Sequence, residues 1–217
     1  VIEAGFPSAS PGDFEAVRRI AEETRGGIAV AALARCKDGD PQRGVEALLP
    51  AERPHLHLFI ATSDIHLKHK LRATREEALA AAVKWVSYAR GALGRDAEIE
   101  FSAEDASRTD IDYLLKVYEA VVDAGATTVN IPDTVGYTTP WQFGELIRSL
   151  RERIPNAAMR EVREETGLDA EIVSDFVDFP FDRPGQLPPP RVILIEDIGG
   201  DDPDHQHIDL IYYCRSL

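Results

Sequence analysis

Cysteine, basic side chains and long apolar runs are all scarce in this 217-residue sequence. Its two cysteines, Cys36 and Cys214, cannot form a disulfide framework, and they predict reduced thiols in a cytoplasmic protein. No apolar run approaches the ~18 residues of a membrane span, and no secretory signal is visible. The 24 basic residues face 38 acidic ones, for a net charge of −14. This charge disfavours nucleic-acid partners because it repels phosphate backbones.

The length of the sequence limits the fold. Hydrophobic residues make up 44% and charged residues 29%, as in globular proteins. A complete eight-stranded βα barrel needs roughly 250 residues, so we expect any barrel in this sequence to be partial. The sequence also opens on Val1 within a strand-like run, and we expect it to be a piece of a longer protein.

Up to about Asn156, short apolar runs alternate with capped amphipathic helices, which predicts parallel strands joined by helical crossovers. Five βα units are expected, with strands at 1–6, 28–33, 55–61, 97–101 and 127–131. Four of the helices open on capping residues, namely Ser10 with Asp13, Thr74 with Glu77, Thr109 with Asp112, and Thr139 ahead of Gln142. No dinucleotide or P-loop fingerprint follows any strand, which favours a partial TIM-type barrel.

The last 61 residues differ in charge and pattern from the rest. They hold 14 acidic and 5 basic side chains, against 24 and 19 in residues 1–156. A helix at 157–166 and strand-like runs at 172–177, 192–195 and 208–214 predict an α+β segment. We therefore expect two domains, 1–156 and 157–217.

Polar side chains lie at the predicted strand ends, where βα barrels carry their active sites. These residues are Glu3, His57, Ser102, Glu104, Asn130 and Thr134. Together they suit proton transfer and recognition of a small carboxylate, although any one of them could instead serve a turn or cap. His55 and His57 share a strand face and suit either metal binding or a structural or substrate-facing role. The basic run 66–70 suits an anion or is a solvated loop.

Four segments resemble 2-isopropylmalate synthase in order and spacing, namely VIEAGFP (1–7), FIATSDIH (59–66), EFSAED (100–105) and NIPDTVGY (130–137). The resemblance covers residues 1–156 and implies the second to sixth units of a metal-dependent βα barrel. It implies a Claisen-type condensation of acetyl-CoA with 3-methyl-2-oxobutanoate, assisted by Mg²⁺, Mn²⁺ or Zn²⁺, in leucine biosynthesis. Glu104 is then implied as the catalytic carboxylate. His57, Ser102, Asn130 and Thr134 are implied to bind the 2-oxo acid, with Glu3 supporting the mouth.

Two motifs of that family are missing from the sequence. One is Asp-Thr-Thr-Leu-Arg-Asp-Gly on the first strand, and the other is His-x-His-Asn-Asp on the seventh. Both supply metal ligands, so we expect this chain not to catalyse the condensation. A partial barrel also exposes unpaired strand edges, which predicts homo-oligomers or aggregation.

The segment REVREETGL (160–168) resembles the second half of the Nudix box. Glu164 and Glu165 lie three and four residues after Glu161, so we expect all three to share a helical face. Such carboxylates hold Mg²⁺ against a diphosphate substrate, and the alternative is an exposed acidic helix face. The sequence is thus interpreted as a partial 2-isopropylmalate synthase barrel joined to a partial Nudix hydrolase. The alternatives are residual Nudix-type hydrolysis of a nucleoside-diphosphate-like substrate, or a non-catalytic chimeric fragment.

Overall fold

Five parallel strands form one sheet in the order β1-β2-β3-β4-β5. The fold comes from a computed structural model that describes residues 1–153, 170–171, 192–197, 206–211 and 215–216. The strands are Ile2–Gly5 (β1), Ala29–Arg35 (β2), Arg53–Ala61 (β3), Glu98–Glu104 (β4) and Thr128–Asn130 (β5). This is a five-stranded parallel α/β fold resembling part of a TIM-type barrel, as the alternating pattern predicts.

Helices connect the successive strands. They are Pro11–Glu23 (α1), Asp40–Leu48 (α2), Asp64–His66 (α3), Arg75–Leu93 (α4), Ile111–Asp123 (α5) and Pro140–Arg153 (α6). The sequence predicts three of the caps correctly: Ser10 caps α1, the Thr74 and Glu77 side chains form a capping box on α4, and Thr139 bonds Gln142 at the start of α6.

The predicted cap of α5 is wrong. Asp110, not Thr109, accepts a hydrogen bond from the backbone N–H of Tyr113 and caps the helix. The Thr109 hydroxyl instead donates to the backbone oxygen of Asp105. A hydroxyl beside a turn can bond either way, and here the preceding turn takes it.

The basic run after β3 is helical rather than a loop. The short helix α3 continues directly into a π-helical turn, Leu67–Leu71, which ends at Arg72 in the left-handed conformation. Single π-turns often occur at functional sites, since they re-aim side chains between two ordinary helices. Here the turn brings Lys70 towards the end of β4.

One face of the sheet forms the apolar core. Leu56, Leu58, Ile99 and Phe101 are fully buried in one cluster with the helices, and the Tyr118 ring of α5 lies edge-on to Phe101 at 6.3 Å. Alternation sends His55 and His57 of β3, and Glu98, Glu100, Ser102 and Glu104 of β4, to the opposite face. One face of the sheet therefore packs against the helices, and the other face carries the polar side chains of the candidate site.

The chain divides into two compact units, Val1–Glu161 and Val162–Leu217. The described strands of the second unit are Ala170–Glu171 (β6), Val192–Asp197 (β7), Gln206–Ile211 (β8) and Arg215–Ser216 (β9), which pair antiparallel as β6-β9 and β7-β8. The predicted strands at 192–195 and 208–214 overlap β7 and β8. The predicted helix at 157–166, the strand at 172–177 and the boundary at 155–158 lie outside the described residues.

Within the described ranges, no helix is both long and apolar enough to cross a bilayer.

Cys36 is a free, buried thiol, and burial raises its pKa above the usual value. A buried thiol that stays protonated is unreactive. Cys214 lies outside the described residues.

Candidate active site at the carboxyl ends of the strands

The polar face of the sheet brings together most of the residues singled out at the strand ends. His57 of β3 lies in register with Glu100 of β4, and Ser102 of β4 lies in register with Asn130 of β5. Strand β4 runs to Glu104, three residues beyond the predicted end at 101, because its pairing with β3 continues to Ala61. Ser102 and Glu104 therefore stand on a strand, which holds them more rigidly than a loop would.

His57 is the centre of this group. Its Nδ1 lies 2.9 Å from Oε1 of Glu3, and its Nε2 lies 2.6 Å from the hydroxyl oxygen of Ser102. The His57 side chain is only 12% exposed. Three predicted residues from β1, β3 and β4 are thus joined by direct hydrogen bonds.

The surroundings of His57 favour its charged form. Burial lowers the pKa of the imidazole, but the hydrogen bond to Glu3 and the negative charge of Glu100 outweigh burial and raise the pKa above its usual 6.5. An imidazolium donates from both nitrogens, here to Glu3 and to Ser102. Ser102 then accepts at its oxygen and keeps its own proton to donate to a ligand.

Glu100 belongs to the site, although it was not singled out in the sequence. Its Oε2 lies 2.9 Å from Nε2 of His55, its Oε1 lies 3.5 Å from Nε2 of His57, and it accepts a hydrogen bond from the side chain of Asn130. Burial raises the pKa of Glu100, but these partners outweigh it and hold the pKa below the usual value. Strand alternation was the signal that could have revealed Glu100, since it lies two residues before Ser102.

Glu104 closes the other side of the mouth. Its Oε1 lies 2.5 Å from the ammonium of Lys70 and 3.6 Å from Nδ1 of His66. The run 66–70 is therefore more than a solvated surface, because it neutralises the implied catalytic carboxylate. An open pocket of about 520 Å³ adjoins the same segment, and none of the six predicted mouth residues lines it.

Thr134 makes a hydrogen bond to the backbone of Asp105, the residue after Glu104. Its hydroxyl oxygen accepts a hydrogen bond of 2.9 Å from the N–H of Asp105, a fully buried residue in the left-handed conformation, at φ 65°. The Asp105 carboxylate accepts two bonds, of 2.7 and 2.8 Å, from Arg108 and a further one from Ser63. Thr134 thus fixes the turn after β4, and binding of the 2-oxo acid by it stays a prediction.

The described residues of this mouth do not fit the divalent metal that the resemblance implies. Three potential ligands approach one another, since Nδ1 of His66 lies 3.5 Å from Oδ2 of Asp105 and 3.6 Å from Oε1 of Glu104. Both carboxylates already serve cations, Arg108 and Lys70. No group of three His, Cys, Asp or Glu side chains in the described part of the chain is arranged to hold a metal ion. The predicted ligands Glu161, Glu164 and Glu165 lie outside that part.

Residues 1–163 match the HMGL-like family, and the chain belongs to this family. Over 156 residues it is 57% identical to 2-isopropylmalate synthase 1 of Caldanaerobacter subterraneus subsp. tengcongensis. Over the same length it is 58% identical to 2-isopropylmalate synthase of Pyrococcus furiosus. The matched segment is 72% of this chain, but only 38% and 30% of those two proteins. This chain therefore spans well under half of either relative.

Solved structures agree with the fold. Hydroxymethylglutaryl-CoA lyase from Pseudomonas aeruginosa superposes with a TM-score of 0.55 at 20% identity, over 70% of this chain and 51% of that one. The HMG-CoA lyase from Bacillus subtilis gives 0.52 at 18% identity, over 68% and 50%. At these identities the similarity supports the α/β architecture alone.

Proposed function

We propose that the carboxyl-terminal mouth of the sheet binds 3-methyl-2-oxobutanoate and serves the condensation reaction of 2-isopropylmalate synthase. The observation that carries the proposal is the Glu3–His57–Ser102 chain of hydrogen bonds, in which the raised pKa of His57 favours an imidazolium that donates to Ser102 and frees the serine proton for a ligand. Identity above 50% to two enzymes of that name supports the same substrate class. A 2-oxo acid carries the carboxylate and carbonyl oxygens that such donors recognise.

In the condensation, the methyl carbon of acetyl-CoA loses a proton and attacks the ketone carbon of the 2-oxo acid. Hydrolysis of the thioester then releases the thiol of CoA and leaves 2-isopropylmalate. Ser102 and His57 orient the carboxylate of the 2-oxo acid, and Asn130 is anchored beside them through Glu100. Glu104 is the group proposed to exchange a proton, with Lys70 holding its carboxylate in place.

We expect the 217-residue chain to bind the 2-oxo acid without completing the reaction. The two metal-ligating motifs of the family do not occur in its sequence, and the described residues offer no substitute for them. Cytoplasmic location and homo-oligomerisation remain further predictions.

Calorimetric titration with 3-methyl-2-oxobutanoate tests the binding. Ser102→Ala should weaken it about tenfold, because a hydrogen bond to a charged ligand is lost. Ser87→Ala, on the exposed side of α4, is the matched control and should bind as the parent does.

Thiol release from acetyl-CoA in the presence of Mg²⁺ or Mn²⁺ tests turnover. Clear turnover by the parent contradicts the expected inactivity, and absent binding contradicts the proposed substrate.

The Nudix-like segment supports a second candidate activity, hydrolysis of a nucleoside-diphosphate-like substrate. The observation in its favour is the unbroken nine-residue match at 160–168, whose pattern includes Glu161, Glu164 and Glu165. We expect Mg²⁺-dependent phosphate release that Glu164→Gln abolishes. A chain that neither hydrolyses a diphosphate nor binds the 2-oxo acid would instead be a non-catalytic chimera.

A further inference from the structure

We propose that Glu100 is a positioning residue that keeps His57 doubly protonated and thereby makes Ser102 a hydrogen-bond donor towards the ligand. The inference rests on the proposed binding of a 2-oxo acid at this mouth. It adds a residue that carries no role in the resemblance and lies in register with His57 on the neighbouring strand.

The geometry places one carboxylate against three neighbours. Oε2 of Glu100 lies 2.9 Å from Nε2 of His55, and Oε1 lies 3.5 Å from Nε2 of His57. The side chain of Asn130 donates to the same carboxylate. The Glu100 side chain is only 16% exposed, so water screens these interactions weakly. One buried negative charge therefore acts on two of the residues proposed to bind the ligand.

The proton on Nε2 of His57 decides what Ser102 can do. When His57 is neutral with its proton on Nδ1, facing Glu3, its Nε2 is an acceptor and takes the Ser102 hydroxyl proton. Ser102 then presents only lone pairs, which repel a carboxylate. When His57 is an imidazolium, Nε2 donates to Ser102 at 2.6 Å and the hydroxyl proton points elsewhere. The charge of Glu100, close to Nε2, favours this second state.

The other groups around the imidazole do not replace Glu100. From β1, Glu3 accepts from Nδ1 and also favours the imidazolium, but it lies on the Nδ1 side of the ring. From β2, the residue in register with His57 is Leu33, which carries no charge. From β3 and β4, His55 and Glu98 lie one layer further from Ser102, and Glu98 is engaged by Arg53. Among these groups, Glu100 is the carboxylate that lies near Nε2.

The test is an NMR titration of the imidazole resonances in the whole ¹⁵N-labelled chain, with His57→Gln used to assign the His57 signal. Glu100→Gln should lower the pKa of His57, and Glu100→Asp should lower it less. Glu22→Gln removes the same charge from an exposed salt bridge on α1 and should leave the pKa of His57 unchanged. If Glu100→Gln does not fold, the comparison of Glu100→Asp with the parent still decides the question.

Affinity for 3-methyl-2-oxobutanoate provides the second measurement. At a pH between the His57 pKa of the variant and that of the parent, both taken from the titration, Glu100→Gln should bind about tenfold more weakly than the parent, and the loss should disappear as the pH falls below the variant's pKa. A loss that is the same at every pH indicates a merely structural role and overturns the proposal, as does an unchanged pKa of His57. If the parent does not bind the oxo acid, the proposed function fails, and the titration alone still decides the role of Glu100.

Discussion

At the residue scale, the polar face works through a few buried side chains that restrain one another. His57 contacts groups on two other strands, and its two carboxylate neighbours, Glu3 and Glu100, favour its protonated form over its neutral form. A cation held this way stabilises the fold. Its effect therefore depends on pH.

The raised pKa of His57 predicts a stability change on the alkaline side. The stabilising contribution is fully present below the unfolded pKa of about 6.5, and it is lost as the pH rises through the higher folded pKa. We expect the difference in unfolding free energy between the parent and His57→Gln to shrink as the pH rises above 6.5 and through the folded pKa of His57. Urea unfolding at a series of pH values measures it, and a difference that grows with pH contradicts the prediction.

Asp105 predicts a second effect at single-residue scale. Its carboxylate is fully buried and bonded to Arg108 and Ser63, and its backbone is left-handed. Asp105→Ala should cost roughly 3 kcal/mol of unfolding free energy, because it leaves buried hydrogen-bond donors without an acceptor and places an alanine at positive φ. Asp105→Asn should cost less, since asparagine tolerates this conformation. The exposed Asp96→Ala serves as control, and equal losses at both sites contradict the role of burial.

At the scale of elements, the helices and strands follow from local pattern. Capping residues and apolar spacing place four of the major helices within about three residues of their observed ends, because these signals act over a single turn. The π-helical turn after α3 was not predicted, since no local signal distinguishes it from a loop. Its position depends on the pairing of Lys70 with Glu104, 34 residues further along the chain.

Two helical glycines, Gly44 of α2 and Gly91 of α4, should respond in opposite ways to replacement by alanine. A Cβ at Gly44 would lie 2.5 Å from Cδ1 of the fully buried Leu56, whereas one at Gly91 of α4 meets nothing within 4 Å. Gly44→Ala should therefore destabilise the protein by about 1–3 kcal/mol through overpacking. Gly91→Ala should stabilise it by about 0.5–1 kcal/mol, because alanine is the better helix former. Thermal unfolding monitored by circular dichroism compares the two, and effects of the same sign would refute this packing account.

At the scale of the whole molecule, the five-stranded sheet ends in two edges. Within the described strands, β1 pairs only with β2, and β5 pairs only with β4. An unprotected parallel edge presents backbone donors and acceptors to another chain. We therefore expect the 217-residue chain to self-associate as its concentration rises.

A lysine at the β1 edge tests this expectation. Ile2 of β1 is 40% exposed, and Ile65, away from the sheet, is 50% exposed, so the two sites offer comparable apolar surfaces. Ile2→Lys should reduce the weight-average mass in sedimentation equilibrium, because a charge on an edge strand opposes pairing. Ile65→Lys should not. Equal reductions in both variants would indicate that general charge repulsion, rather than strand pairing, governs association.

The sequence by itself determined the alternation of strands and helices, the polar strand ends and the family, because these depend on local periodicity and short motifs. Ser102 could be selected in this way because it follows the predicted strand at 97–101, whereas His57 lies in the middle of β3. Only the tertiary structure placed Glu100 against His55 and His57, and only it assigned the Thr134 hydroxyl to the backbone of Asp105. Those contacts join residues 29 to 45 positions apart, and their register is set by the packing of whole strands, which no local pattern encodes.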